Sequence, residues 1–386
     1  MRNHQRRKGL ETADVVVAGG GVIGLAIARA LALRGIRRVT LIERSHLGAE
    51  ASSAAAGMLA PQAEANRDDA FFKLTCASRD LYPKFAEDLC EETGTDIELE
   101  RSGTLYLGFT ENDEQELNER YEWQVRAGLE VERLTADEAR RIEPCLSPRT
   151  RTALRFPLDV QVENRRLVAA LANSLAKHEV NVMTETSVDS LVISRGRISG
   201  IETSSGRITA PVVVLACGAW TSLMNSADKA APGLSIEPVR GQMLCFETNP
   251  RLTRHIIYSP RGYLVPRRDG RLLAGSTTED AGFNKDVTAG GISSITQHSL
   301  EISPAIGDLS IVDSWAGLRP HSADDLPVLG ECHDVSGLFY ATGHYRNGIL
   351  LAPITGELIA DEIMTNVKPL QSLAFSPDRF AFVGAH

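Results

Sequence analysis

Gly19, Gly21 and Gly24 recur at a spacing that lets a backbone turn wrap an anion. Gly19 permits a tight turn, Gly21 lets peptide N–H groups approach a pyrophosphate, and Gly24 lets the following helix pack close to the preceding strand. The first turn of that helix adds a partial positive charge that favours phosphate. Glu43 follows at the distance from which a carboxylate accepts hydrogen bonds from ribose hydroxyls. This is the chemistry of dinucleotide binding. A glycine-rich turn with no ligand is the plainer alternative, and the fingerprint alone does not separate FAD from NAD.

Two other groups bear on that choice. The segment Ala51-Ser52-Ser53-Ala54-Ala55-Ala56-Gly57-Met58 carries the small side chains a backbone needs to lie against a flat cofactor, although a tight helix contact would use the same residues. Near the C-terminus, Gly343-His344-Tyr345-Arg346-Asn347-Gly348 precedes the last helix. A helix N-terminus there would face the pyrimidine edge of a flavin, which becomes anionic on reduction. An NAD enzyme has no such requirement at its far C-terminus, so the sequence favours FAD.

These residues need a scaffold. Asp14-Val15-Val16-Val17-Ala18 reads as a buried strand, Val22 to Leu33 as a helix closed by Gly35, and Val39 to Glu43 as a second strand. Strand, glycine turn, helix and strand within about thirty residues form the βαβ context that gives the fingerprint meaning. Amphipathic segments at Phe71 to Leu89 and Asn112 to Ala127 read as inserted, non-Rossmann material, separated by a strand at Gly103 to Leu107. Thr135-x-x-Glu138 is a capping box that opens a short helix. Strands follow at Ser187 to Ser194 and Arg197 to Thr203, and Val212 to Ala216 is expected to rejoin the first sheet. Glu237 to Asp313 alternates apolar residues and glycines, which suggests a mostly antiparallel sheet. A last strand at Gly337 to Ala341 leads through the 343–348 loop into a terminal helix reaching Ile363.

The expected fold is therefore α/β: a discontinuous Rossmann-like FAD-binding domain (13–88, 150–232 and 314–386) with a substrate domain on a mostly antiparallel sheet (89–149 and 233–313). Residues 1–12 read as a basic flexible tail, because no apolar stretch follows to make a secretory signal. The chain has 386 residues, 43% of them hydrophobic, enough to bury a substantial core. A net charge of −9 disfavours nucleic acid and anionic membranes, and no run is long and apolar enough to span a bilayer. The six cysteines lack C-x-x-C spacing and the nine histidines form no ligand pair, so neither a disulfide framework nor a metal site is expected, and a cytoplasmic location fits.

The strings DVVVAGGGVIGLAIARALA, ASSAAAGMLAP, VLACGAWT, GLRPHSADDLPVLG and GHYRNGILLAPITGELIA together resemble the D-amino acid oxidase superfamily, most closely its thiamine-pathway glycine oxidases. The resemblance runs from about Asp14 into the C-terminal helix. It implies noncovalent FAD, a small amine or amino acid substrate such as glycine, oxygen as electron acceptor, and imine and hydrogen peroxide as products. It also suggests a homotetramer. Covalently flavinylated relatives carry a cysteine in the C-terminal motif, and GHYRNG has none.

Carried over by motif, Val22 and Ile23 belong at the pyrophosphate turn, and Glu43 and Arg44 near the adenosine. Ala51, Ser52, Ala56, Gly57 and Met58 are expected to line the flavin, with the Val188 backbone against the adenine. His344, Tyr345, Arg346, Asn347, Gly348, Ile349 and Leu350 are expected around the pyrimidine ring. For the substrate, Arg319 is the candidate carboxylate anchor, because a guanidinium fork grips a carboxylate through two parallel hydrogen bonds. Tyr263 matches a tyrosine whose hydroxyl approaches the substrate, Arg346 a residue near both flavin and substrate, and Met58 a pocket filler. Thr278 stands where some glycine oxidases place a methionine against the substrate, which implies a roomier or more polar pocket. A dehydrogenase of D-amino acids or sarcosine that passes electrons to a carrier is the alternative reading.

Overall fold

The β-branched run Val15–Ala18 is buried along its whole length, as a strand covered on both faces must be. In the computed structural model, which describes residues 11–224 and 234–380, it lies near the middle of a six-stranded sheet. Val39–Ile42 pairs with it in parallel on one side and Val212–Leu215 on the other. Asn181–Met183 extends the sheet beyond Val39–Ile42, in parallel. Beyond Val212–Leu215 come Leu338–Thr342, parallel, and Val328–Glu331, antiparallel, at the edge. Strands from both ends of the sequence thus lie within this one sheet.

Helices Val22–Leu33, Ala70–Thr93, Asn164–Lys177 and Gly348–Thr365 contribute to the largest apolar core together with this sheet; Leu25, Leu74, Tyr82, Leu171 and Leu351 are among its members. Helix Ala70–Thr93 therefore belongs to the Rossmann layer and is not inserted material. A second core joins Val16, Ala18 and Ile42 to Leu191, Ile198 and Ile201 of a four-stranded sheet. The strand Glu11–Thr12 pairs in parallel with Gly206–Thr209 in that sheet, so these two residues are part of the fold rather than of a tail. Residues 1–10 lie outside the described residues.

A nine-stranded sheet carries the rest, and most of its pairings are antiparallel. Ile256–Ser259 departs from the pattern by running parallel to Thr104–Gly108. The boundaries expected at 150 and 314 fall inside this sheet, because Thr152–Phe156 pairs with Thr104–Gly108 and Ile311–Ser322 pairs with Ile236–Glu247. Helix Ala289–Ile302, hidden in a stretch read only as strands, closes a third core through Ile295 and Ile302. The capping box forms as expected: Glu138 N–H donates to Thr135 Oγ1 and Thr135 N–H to Glu138 Oε2 at 2.8 Å. Among the described residues no helix is long and apolar enough to cross a membrane.

Candidate functional site

A cavity of about 420 Å³ runs from the glycine turn to the face of the nine-stranded sheet. At the turn Gly19 adopts φ +113°, a left-handed conformation that L side chains rarely take. A Cβ at Gly24 would collide with the Gly19 carbonyl, and one at Gly19 with the Ala216 carbonyl, so turn, helix and neighbouring strand close up only around bare glycines. Gly24 works through this packing and does not itself line the cavity. Gly21 caps helix Val22–Leu33 without a side chain, and Ser52 Oγ accepts from Val22 N–H at 2.9 Å.

Glu43 Oε2 accepts from Gly20 N–H at 2.7 Å and Oε1 from Ser45 N–H at 2.9 Å. Each carboxylate oxygen keeps lone-pair capacity for a hydroxyl donor. Arg44 lies 3.8 Å from the centroid of the Trp220 ring and pairs with Glu50 at 2.7 Å. Val188 lines the same end of the cavity.

The C-terminal loop follows from its backbone. Gly343 at φ +70° and Tyr345 at φ +47° reverse the chain between strand Leu338–Thr342 and helix Gly348–Thr365. A non-glycine residue in that region is held there by its surroundings, here by Tyr345 N–H donating to the Pro320 carbonyl at 2.9 Å. The helix begins at Asn347 without a side-chain cap, so its positive end faces the cavity that Asn347, Gly348 and Ile349 line. His344 is buried against Thr355 Oγ1 at 3.1 Å, and burial pushes its imidazole down to about 3, keeping it neutral. Leu350 is the exception within the expected set: it packs in the core, and its carbonyl accepts from Ser78 Oγ at 2.6 Å.

At its other end the cavity is lined by Arg319 and Tyr263, both on strands of the nine-stranded sheet, and by Met58 and Arg346 beside them. Arg319 donates to Ser276 Oγ at 2.7 Å and to the Thr277 carbonyl at 3.1 Å, and its fork lies across Gly241, where a Cβ would overlap it. The cavity charges sort by partner. Arg44 has Glu50, and Arg346 has Glu64 at 3.6 Å, a pairing that raises the Arg346 guanidinium further. Arg319 has no carboxylate partner among the described residues. Arg346 also donates to Tyr258 Oη at 3.0 Å, and the Tyr258 ring stacks on Tyr263 at 6.2 Å.

Thr278 is exposed and does not line the cavity, so the roomier pocket expected from it has no basis at that position. The methionines that line the cavity beside Tyr263 are Met58 and Met243. Met243, Gly241, Glu64 and the Ala216–Trp220 wall were missed as site residues, although Ala216 to Trp220 sit inside the VLACGAWT string. Nothing in sequence marks Met243, one apolar residue of an alternating strand. Arg267 was missed as well. It is buried and donates to the carbonyls of Ala56 and Val162 at 2.7 and 2.9 Å, and so fixes the small-residue segment from behind. Burial lowers its guanidinium to about 10.

Comparison with known proteins assigns this arrangement. The sequence profile described as FAD dependent oxidoreductase matches residues 14–362. The chain belongs to this D-amino acid oxidase family of FAD-dependent oxidoreductases, and its cofactor is FAD. It is 38% identical to a glycine oxidase of Geobacillus kaustophilus over 95% of this chain and 97% of that protein. The crystal structure of a glycine oxidase from Geobacillus kaustophilus superposes with a TM-score of 0.90 at 37% identity, covering 95% of this chain and 98% of that one. A bifunctional protein ThiO/ThiG of Trichormus variabilis is 37% identical over 92% of this chain, which spans 53% of that longer protein.

The residues present fit FAD. The turn at Gly19 and Gly21, the Glu43 carboxylate and the uncapped helix start at Gly348 line one continuous cavity, and each suits a different part of the cofactor.

Proposed function

We propose that the protein oxidises glycine, with sarcosine and small D-amino acids as further candidate substrates. Glycine is converted to its imine, which water hydrolyses to glyoxylate and ammonia, while oxygen is reduced to hydrogen peroxide. The names of the relatives support this substrate, and the ThiO/ThiG relative supports a role in thiamine thiazole biosynthesis. The observation that carries the reading is Arg319, a cavity guanidinium without a carboxylate partner among the described residues. Two of its donors are held by Ser276 and Thr277, which aims the rest; a substrate carboxylate supplies the missing charge.

Bound FAD supplies a hydride acceptor. The chain's part is orientation and exclusion of water: Arg319 holds the carboxylate, Tyr263 offers its hydroxyl beside it, and Met58 and Met243 fill the apolar wall. Binding is noncovalent in this reading. The C-terminal motif has no cysteine, and Cys217, which lines the cavity, has its thiol pushed up to about 12 by burial and so carries almost no thiolate.

The test is anaerobic mixing of the purified flavoprotein with glycine, sarcosine and D-amino acids. Glycine is expected to bleach the flavin absorbance, and a flavin that no member of the panel bleaches refutes the proposal. In air, stoichiometric peroxide identifies the oxidase. Bleaching without peroxide identifies the carrier-coupled dehydrogenase instead.

A further inference from the structure

The cavity floor between Arg319 and Tyr263 is a short row of residues on one sheet face. Gly241 and Met243 lie two apart on strand Ile236–Glu247 and point the same way. Arg319 reaches across the first, and Tyr263 leans on the second, its hydroxyl donating to Met243 Sδ at 3.4 Å. Gly275, registered opposite both Met243 and Tyr263, makes that contact possible, since a Cβ there would lie 2.8 Å from Tyr263 Oη and inside the Met243 sulfur. Met243 is 3% exposed and Tyr263 8%, and with Ala56 they belong to one apolar cluster, against which Met58 packs.

We infer that Met243 is the residue that limits the size of the substrate side chain. The inference rests on the proposed reading that Arg319 anchors a carboxylate. A substituent on the carbon next to that carboxylate must pass over Met243 or clash with it. Packing beneath holds the thioether in place, and its hydrogen bond to Tyr263 fixes which way it lies. Met243→Ala removes Cγ, Sδ and Cε and leaves Arg319 and Tyr263 intact.

The test reads binding without turnover: titration of the FAD-loaded protein with acetate, propanoate, butanoate and pentanoate, followed by the flavin absorbance. In the wild type, affinity is expected to fall beyond the shortest acids. In Met243→Ala it is expected to rise about fourfold for each of the first added methylenes, the gain from burying one CH₂. Met243→Leu keeps bulk but loses the sulfur acceptor, and it should keep the wild-type size limit. A size profile in Met243→Ala that matches the wild type overturns the inference, as does a Leu variant that opens the pocket as far as Ala. If Met243→Ala does not retain FAD, Met243→Val carries the same expectation with a smaller opening. Failure of the functional reading is distinguishable. Size-dependent binding without bleaching by any amine sinks the oxidase assignment alone, whereas bleaching by glycine with an unchanged profile sinks the role of Met243 alone.

Discussion

Replacing Gly241 by alanine tests the geometry of the carboxylate anchor without altering its charge. Gly241 does not use the left-handed region, so its backbone accepts alanine. The new Cβ would overlap Arg319 Cζ and both terminal nitrogens. To regain contact distances of about 3.5 Å the fork must retreat by on the order of 1 Å. The atoms that move are the far end of a flexible side chain, so the fold and FAD binding should persist. The retreat pulls the guanidinium off Ser276 Oγ and the Thr277 carbonyl, now at 2.7 and 3.1 Å, and away from the position a bound carboxylate needs. A misplacement of about 1 Å costs on the order of 100-fold, equivalent to about 2.7 kcal/mol at tenfold per 1.36 kcal/mol. The assay is kcat/KM for glycine in the wild type, Gly241→Ala, Arg319→Ala and the double variant. If Gly241→Ala acts through Arg319, it should have almost no further effect once Arg319 is gone. A kcat/KM within twofold of wild type in a fully FAD-loaded Gly241→Ala protein refutes the reasoning, as does an undiminished loss in the Arg319→Ala background.

Arg319→Ala itself should weaken glycine binding by about 2–5 kcal/mol, the range for losing one partner of a desolvated charge pair; an unchanged KM for glycine rules the anchor out. Arg267→Met leaves the buried Ala56 and Val162 carbonyls unpaired and should cost on the order of 3 kcal/mol, read as a lower Tm together with weaker FAD retention. His344 gives a pH dependence. Its folded value, about 3, lies below the ordinary 6.5, so the unfolded chain takes up the proton first. The stability that neutral His344 contributes is present above pH 6.5 and is lost as pH falls from there toward 3. In that window the stability curve of His344→Gln should be shallower than wild type by up to about 1.36 kcal/mol per pH unit, measured by denaturant unfolding at stepped pH. Parallel curves would exclude the effect.

The dinucleotide end was legible because its requirements are local. Bare glycines, a β-branched strand and an acid at the next strand end are set by backbone sterics within one βαβ unit, and Gly19, Gly21 and Glu43 line the cavity. The substrate end depends on long-range register. Gly241 meets Arg319 only because Ile236–Glu247 pairs with Ile311–Ser322, and Met243 meets Tyr263 only across Gly275. Alternation reveals two faces of a strand but not which one borders a cavity. Thr278 shows the hazard of counting from a motif: it stands beside the right strand, yet it is exposed. Helix Ala289–Ile302 escaped because its stretch was read for alternation, although Thr288 caps it by accepting from Gly291 N–H.

The six-stranded sheet has a bearing on how the protein is made. Strand Val212–Leu215 has Val15–Ala18 on one side and Leu338–Thr342 on the other, so its second edge waits for a strand made much later in the chain. Until then an apolar strand of three consecutive valines has unpaired N–H and C=O groups, the kind of edge that recruits foreign strands. The helix that starts at Gly348 arrives later still, and with it the last wall of the cavity. FAD therefore cannot be fully gripped by a nascent chain that still lacks this helix, and chains truncated before Leu338 should accumulate as aggregates rather than as apoprotein.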